Sequence, residues 1–299
     1  MASRAMRRMR AAAVVLAGGI AAGAGSIAVA APGLETTALA LPASNAFVSG
    51  LDLECFDTRG PALNLELQLT HLHPALVQLG LPRHGVVVRE LVQTCVAVRK
   101  NGVEPPLAVL PFLEQTDLGC YRIDAAPLAS PAMVAPQRPG SAPTAPASGV
   151  TLTRPVELCL PVARNGATLT PDVLRLVQFI DLECYAGDPG SRPSVGLRVA
   201  PIDPELGYIS GHQMAVGSSR QRCVPVQSNS LAVPSDVLAI VQWIELEKLA
   251  ASPAVAVPPV EVALGHLNPL LTTLPHSQVV LRRASALTAP VSGSSATPR

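Results

Sequence analysis

The sequence predicts an all-β protein made of tandem, disulfide-containing β units of about 64 residues, three with a cysteine pair and one degenerate, because self-similarity at a fixed period marks repeat architecture before any element is assigned. The first observation is a recurring strand motif: Leu51-Asp52-Leu53-Glu54-Cys55-Phe56, Thr116-Asp117-Leu118-Gly119-Cys120-Tyr121, Ile180-Asp181-Leu182-Glu183-Cys184-Tyr185 and Ile244-Glu245-Leu246-Glu247-Lys248-Leu249. Cys55, Cys120, Cys184 and Lys248 follow one another at a nearly constant interval. The second is a further cysteine at a nearly constant offset from the first, in Cys95-Val96-Ala97-Val98, Cys159-Leu160-Pro161-Val162 and Cys223-Val224-Pro225-Val226. The third is strict alternation in Leu63-Asn64-Leu65-Glu66-Leu67-Gln68-Leu69, the period of a half-buried strand.

In the first motif, leucine and cysteine share one strand face and the acid lies on the other, so Leu and Cys are expected inward and Asp52, Asp117, Asp181 and Glu245 on a solvated face. The fourth copy decides how the cysteines pair. There Lys248 replaces the first cysteine, and Leu287-Thr288-Ala289-Pro290-Val291 aligns with Leu158-Cys159-Leu160-Pro161-Val162, so both partners are lost together. This favours Cys55–Cys95, Cys120–Cys159 and Cys184–Cys223 over the rival Cys95–Cys120, Cys159–Cys184 and Cys55–Cys223. Each bridge closes a loop of roughly 40 residues, for which the chain-entropy account gives about 4 kcal/mol. In a small unit with 3% aromatic residues that contribution is comparable to the net stability.

Between the cysteines, Val86-Val87-Val88 reads as a second strand, after a turn that aligns as His73-Pro74, Asp203-Pro204 and Asn268-Pro269. In the second copy this region is exchanged for a Pro/Ala/Ser-rich insert, 125–149, expected as an exposed extended loop. Asparagine follows the second cysteine by six residues at Asn101, Asn165 and Asn229, twice as Asn-Gly, which predicts a hairpin turn. Phe47, Phe112, Leu176 and Ile240 lie eight residues before the first cysteine or its replacement and are read as core. Pro171–Ile180 and Pro234–Ile244 share Asp-Val-Leu-x-x-Val-Gln, a stretch that fits a short helix turn or a strand, and are read as strand or irregular structure. The expected organisation is therefore a signal peptide (1–30), a linker (31–46), β repeats at 47–112, 113–176 and 177–241, a degenerate repeat at 242–291 and a disordered tail (292–299).

The N-terminal assignment rests on Arg4, Arg7, Arg8 and Arg10, the apolar stretch Ala11–Ile20 and Ala28-Val29-Ala30, with cleavage after Ala30. An uncleaved anchor over 11–30 is the alternative that would tie the chain to a membrane, and Arg7-Arg8 raises twin-arginine export beside the general route. Six cysteines without any Cys-x-x-Cys fit an oxidising compartment and a secreted or cell-surface location. Twenty arginines against two lysines, with abundant Ala and Pro, is the composition of a bacterial genome of high GC content. The formal charge of +1 with scattered arginines offers no face for nucleic acid.

On these motifs the chain resembles an uncharacterised family of secreted bacterial repeat domains, a domain of unknown function. That family shows Cys-Tyr-Lys near the start of each unit, an Asp-Gln-Phe turn in the middle, and Leu-Cys-x-Pro-Val with a following Asn-Gly. The resemblance covers roughly 47–249, with a decayed copy to 293. The chain departs from it at the lysine, where Asp57, Arg122 and Ala186 stand, and has no Asp-Gln-Phe. The resemblance implies no activity and no catalytic residues.

Chemistry is sparse. His71-Leu72-His73 places two imidazoles on one strand face, yet Asp203 and Asn268 align with His73, all before proline, and no third ligand is apparent. His84, His212, His266 and His276 are read as surface or turn residues. Gly-x-Ser-x-Gly is absent, and Gly217-Ser218-Ser219 lacks the lysine and helix start of a phosphate loop. No catalytic residue, cofactor or metal is expected. The reading is a secreted or cell-surface, non-enzymatic protein, structural or binding, whose partner is unidentified and of cell-envelope or extracellular class. The alternative is a secreted enzyme, or an inhibitor of one, with a site between repeats around His71 and His73.

Overall fold

The computed structural model describes residues 39–134, 150–187, 193–207 and 209–291; the expected signal peptide, most of the insert and the expected tail lie outside the described residues. In chain order come α1 (Ser44–Gly50), β1 (Leu53–Asp57), β2 (Ala62–His71), α2 (Pro74–Gln78), β3 (His84–Lys100), α3 (Leu110–Leu113) and β4 (Asp117–Ala125). Next are β5 (Ala132–Val134), β6 (Val150–Leu152), β7 (Pro155–Arg164), α4 (Pro171–Val177), β8 (Leu182–Ala186) and β9 (Val195–Pro201). A 3-10 turn (Pro204–Leu206) leads to β10 (His212–Ser228), α5 (Ser235–Val241), β11 (Leu246–Pro253), β12 (Val260–His266), β13 (Ser277–Leu281) and β14 (Ala284–Pro290). The protein is thus mostly β-sheet, with three disulfides.

Eight strands close on themselves. Antiparallel pairing runs β1 to β3, β4, β7, β8, β10, β11 and β14, and β14 pairs back to β1 through Leu53↔Thr288 and Cys55↔Ala286. A ring of eight strands is just wide enough for side chains to fill. Its inner face carries Leu53, Leu118, Leu182 and Leu246 with the six cysteines, in one buried cluster that also holds Phe47, Phe112, Leu176 and Ile240. Those four apolar residues sit on α1, α3, α4 and α5, so short helices pack over one end of the ring.

The cysteines lie directly opposite one another: Cys55↔Cys95, Cys120↔Cys159 and Cys184↔Cys223, each pair disulfide-bonded. Lys248↔Thr288 takes the same register in β11 and β14. Neighbouring bridges touch around the ring, with Cys95 Sγ 3.8 Å from Cys120 Sγ and Cys159 Sγ 3.8 Å from Cys184 Sγ. Two of the three rival pairs, Cys95 with Cys120 and Cys159 with Cys184, therefore sit side by side in the same layer. The buried Lys248 ammonium reaches Glu157 at 2.5 Å, and Gln221 donates to the other oxygen of that carboxylate at 2.8 Å.

Outside the ring lies a partial second layer. β2, β9 and β12 each pair along one edge with β3, β10 and β13. Their far ends pair with β10, β3 and β7, on the other side of the ring. Residues 132–134 and 150–152 form a separate two-stranded ladder whose Ala132, Val134 and Leu152 are buried with Leu76, Tyr185 and Val224. The insert expected as loop thus contributes core residues, with Ala125 ending β4.

Three local expectations change. Pro171–Val177 and Ser235–Val241 are helices: Val173, Leu176 and Val177, like Val237, Ile240 and Val241, recur at the i, i+3, i+4 spacing of an apolar helix face. Pro171 at the first helical position supplies a preset φ, and Asp172 and Arg175 lie at the termini that favour their charges. Asn101, Asn165 and Asn229 do adopt positive φ, but their turns lead away from the strands instead of closing hairpins. The Asn101 side-chain oxygen accepts from Arg198 N, that of Asn165 from Ala263 N and that of Asn229 from Gln68 N, tying each turn to an outer strand. Residues 39–46, expected as linker, pack: Leu41 and Ala46 lie against the inner cluster and Ser44 starts α1.

The register of Lys248 and Thr288 makes a direct test. Lys248→Cys/Thr288→Cys is expected to form a fourth cross-strand disulfide, found by non-reducing peptide mapping, and to raise the guanidinium midpoint. Removing Cys184 and Cys223 together as alanines is expected to cost about 2–4 kcal/mol in the same denaturation series.

Candidate functional site

The polar chemistry collects between the ring and its outer layer. Asp52, Asp117, Asp181 and Glu245, expected on a solvated face, are all buried, and Glu54 and Glu183 are wholly so. They do point away from the ring interior; outer strands and their turns cover Asp117, Asp181 and Glu245, whereas Asp52 borders an open cleft. A strand in a two-layer arrangement has no solvated face, which the period of two does not disclose.

Each acid opens a polar seat. Asp117 Oδ2 accepts from Arg164 Nε at 2.5 Å, and Arg164 Nη2 also donates to Asp203. Asp181 Oδ2 accepts from Ser228 Oγ at 2.7 Å and Asn268 Nδ2 at 2.6 Å. Glu245 lies 3.7 Å from His73 Nε2 and 3.5 Å from Arg222 Nη1. Asp203, Asn268 and His73 are the three residues that precede proline after β9, β12 and β2. The turn residues recognised in the sequence thus cap the recurring acids. Asp52 has the ion pair to Lys100 Nζ at 2.9 Å, and among the described residues no pre-proline side chain reaches it. A cleft of 440 Å³ opens there, lined by Ser49, Gly50, Asp52, Val98, Lys100, Asn101 and neighbours. Burial pushes the carboxyls of Asp117 and Asp181 up to about 6, against the opposing pull of Arg164 on the first and of Ser228 and Asn268 on the second. Burial raises Asp52 as well, with Lys100 opposing.

The histidines form a second set. His71 Nε2 and Tyr185 Oη are 2.8 Å apart, Tyr185 donates to Glu183 Oε2 at 2.7 Å, and His84 Nε2 lies 2.8 Å from Glu183 Oε1. The His71 and His84 rings stack at 5.4 Å. His212 Nε2 meets Glu54 Oε1 at 2.9 Å, and Tyr121 Oη lies 3.3 Å from His266 Nε2. His84, His212 and His266, expected at the surface or in turns, are therefore buried or half-buried partners of first-motif residues, whereas His276 is exposed. A signal for this exists in the sequence: His84 and His212 both precede their second cysteine by eleven residues, and Glu54 and Glu183 both directly precede the first. His71 and His73, expected on one face, serve different carboxylates, because β2 ends at His71 and His73 caps α2.

Burial would raise Glu183, but hydrogen bonds from His71 and His84 outweigh it and hold the carboxyl down at about 2. The bond to Glu183 lifts His84 above the ordinary imidazole value, and Glu54 does the same for His212. Burial pushes His73 and His266 down to about 4. Such a cluster can hold and share protons; the cluster around Glu183 meets solvent through the His84 side chain, 21% exposed. Cys120, Glu157 and Cys159 have metal-like spacing, but both sulfurs are committed to a disulfide.

Compared with known proteins, the chain matches no family model, no curated sequence and no solved structure. No helix of the described residues is long and apolar enough to cross a membrane.

Removing a buried charge while its partners remain is costly, so Glu183→Ala is expected to destabilise by about 3–5 kcal/mol. The pH dependence follows from the signs. His84 and His212, raised in the folded state, contribute stability that is complete below about pH 6.5 and lost as pH rises through their folded values. His73 and His266, lowered, oppose folding as pH falls from about 6.5 towards 4. Guanidinium midpoints across pH are expected to decline on the alkaline side, and His84→Gln to flatten that decline.

Proposed function

We propose that this chain is an exported, non-enzymatic binding protein in which four copies of one β unit, at 47–112, 113–176, 177–241 and 242–291, interlock into a single disulfide-tied ring. The observation that carries the reading is the commitment of the conspicuous polar side chains to internal seats. Acids, histidines and tyrosines pair across strands and are covered, so they serve assembly of the ring and leave loops and clefts as the working surface.

The copy reading draws support from register. Cys55↔Cys95, Cys120↔Cys159, Cys184↔Cys223 and Lys248↔Thr288 occupy one level of the ring, and the acids three residues earlier head equivalent seats. The short ladder of β5 and β6 falls where the second copy would hold its own outer strand: Val150↔Val134 lies nine residues before Cys159, as Val86↔Leu67 lies nine before Cys95. Export draws support from the basic, apolar and small-residue succession before Ala31, and from three buried disulfides, which need an oxidising compartment to form.

Mass spectrometry of the non-reduced protein recovered outside the producing cell tests this. The expected result is a chain beginning at Ala31 with the three disulfides intact. Retention inside the cell with free thiols would remove the reading.

A further inference from the structure

We propose that Lys248 and Gln221 join in an isopeptide bond that the folded ring forms on itself, with Glu157 as the catalytic carboxylate. This goes beyond the binding reading above and needs only the register of the ring. Lys248 stands where β11 would carry its cysteine, and its side chain is 3% exposed. Gln221 is its direct partner across the β10–β11 ladder. Such partners share one face and hold their Cβ atoms about 5 Å apart. Glu157 and Gln221 each precede a second cysteine by two residues, so the period of two turns them to the same inner face as the sulfurs. A primary amine, a primary amide and a carboxylate from separate stretches of the chain therefore meet inside the ring.

The carboxylate holds both reacting groups. Lys248 Nζ donates to Glu157 Oε2 at 2.5 Å, and Gln221 Nε2 donates to Glu157 Oε1 at 2.8 Å. The other amide atom, Gln221 Oε1, is buried with no hydrogen-bond partner among the described residues. An ion pair accounts for the first contact and leaves that acceptor unexplained. Acyl transfer accounts for both: once Glu157 has taken a proton from Nζ, it can present that proton to the orphan oxygen and polarise the carbonyl. The neutral amine then attacks Gln221 Cδ. The Nζ–Cδ bond forms and the Cδ–Nε2 bond breaks. Glu157 relays two protons in turn from Nζ to the leaving nitrogen, which departs as ammonium, and the carboxylate is regenerated. Nothing is oxidised or reduced, and no co-reactant is consumed. Fixing amine and amide in one site replaces a bimolecular encounter, and effective molarities in such arrangements reach about 10⁵–10⁸ M. The product ties β11, the strand that lacks its cysteine, covalently to β10.

The test is high-resolution mass spectrometry of the full chain, recovered with its three disulfides intact and then fully reduced. The wild type is expected about 17 Da, one ammonia, below the mass of its sequence. Peptide mapping is expected to place the deficit in one branched peptide that joins Gln221 to Lys248 and survives reduction. Glu157→Gln keeps the shape and removes the carboxylate, and is expected at full mass with the same disulfide map; Lys248→Arg is expected to behave likewise. Full mass in the wild type with native disulfides would overturn the proposal. So would a deficit of about 18 Da placed between Lys248 and Glu157, which makes the glutamate the acceptor. A deficit placed at Asn101-Gly102 or Asn165-Gly166, where asparagine can cyclise onto the following nitrogen, overturns it as well. Persistence of the branched peptide in Glu157→Gln removes the catalytic role of Glu157. The wild-type mass decides on the bond by itself, and the disulfide map reads whether each variant folds. The first residue and the location of the chain test export, so the bond and the reading above fail separately.

Discussion

Closure of the ring between β1 and β14 is the constraint from which the other features follow. An open sheet of eight strands would leave two edges and one wettable face. A closed ring has neither edge, and its interior is dry. The first and last described strands are therefore neighbours, and the inner residues of every strand must fit one limited volume. Leucine, alanine and disulfide sulfur fill it, which is how a chain with so few aromatic residues still builds a core. Lys248 brings a charge to that level, and it is tolerated because the partly exposed Glu157 carboxylate neutralises it.

Closure also decides the fate of the outward face. Outer strands that begin beside a neighbour in sequence and end beside a distant ring strand cover Asp117, Asp181 and Glu245 from across the molecule. Burying a carboxylate is unfavourable by several kcal/mol unless it is paired and hydrogen-bonded. Each acid accordingly meets partners drawn from different stretches of the chain: Asp181 from Ser228 and Asn268, Asp117 from Arg164, Glu183 from His71 and His84. These networks add modest net stability but strong specificity, since a misplaced outer strand leaves a buried charge without its partner. The same crossing means that no single repeat-length segment holds a complete set of its own contacts. Folding is consequently expected to be cooperative over the whole ring and slowed by the many pairings of high sequence separation.

The differences among the recurring segments gain a physical meaning from this arrangement. Where an outer strand and its proline turn are present, they complete a seat on another part of the ring. The seat at Asp52 and Lys100, which no pre-proline side chain of the described residues reaches, keeps its acid and its base and opens to a cleft.

The strand motifs, the dominance of β structure and the cysteine-free fourth counterpart are legible in the order of amino acids alone, because alternation and cysteine spacing are local and periodic. The joint replacement by Lys248 and Thr288 makes the bridging pattern legible too, since a disulfide needs both partners. Two helices escape a reading by periodicity, because apolar faces on elements of 7 residues are too short to separate helical from extended spacing. The candidate seats are half legible: the acids and the pre-proline residues both stand out, whereas the shared position of His84 and His212 is far weaker against a background of two matches. That Asp203 belongs to Arg164, Asn268 to Asp181, and His84 to Glu183 emerges only from the folded chain. Periodicity reports that a strand has two faces; ring closure and the crossing outer strands say what covers each one.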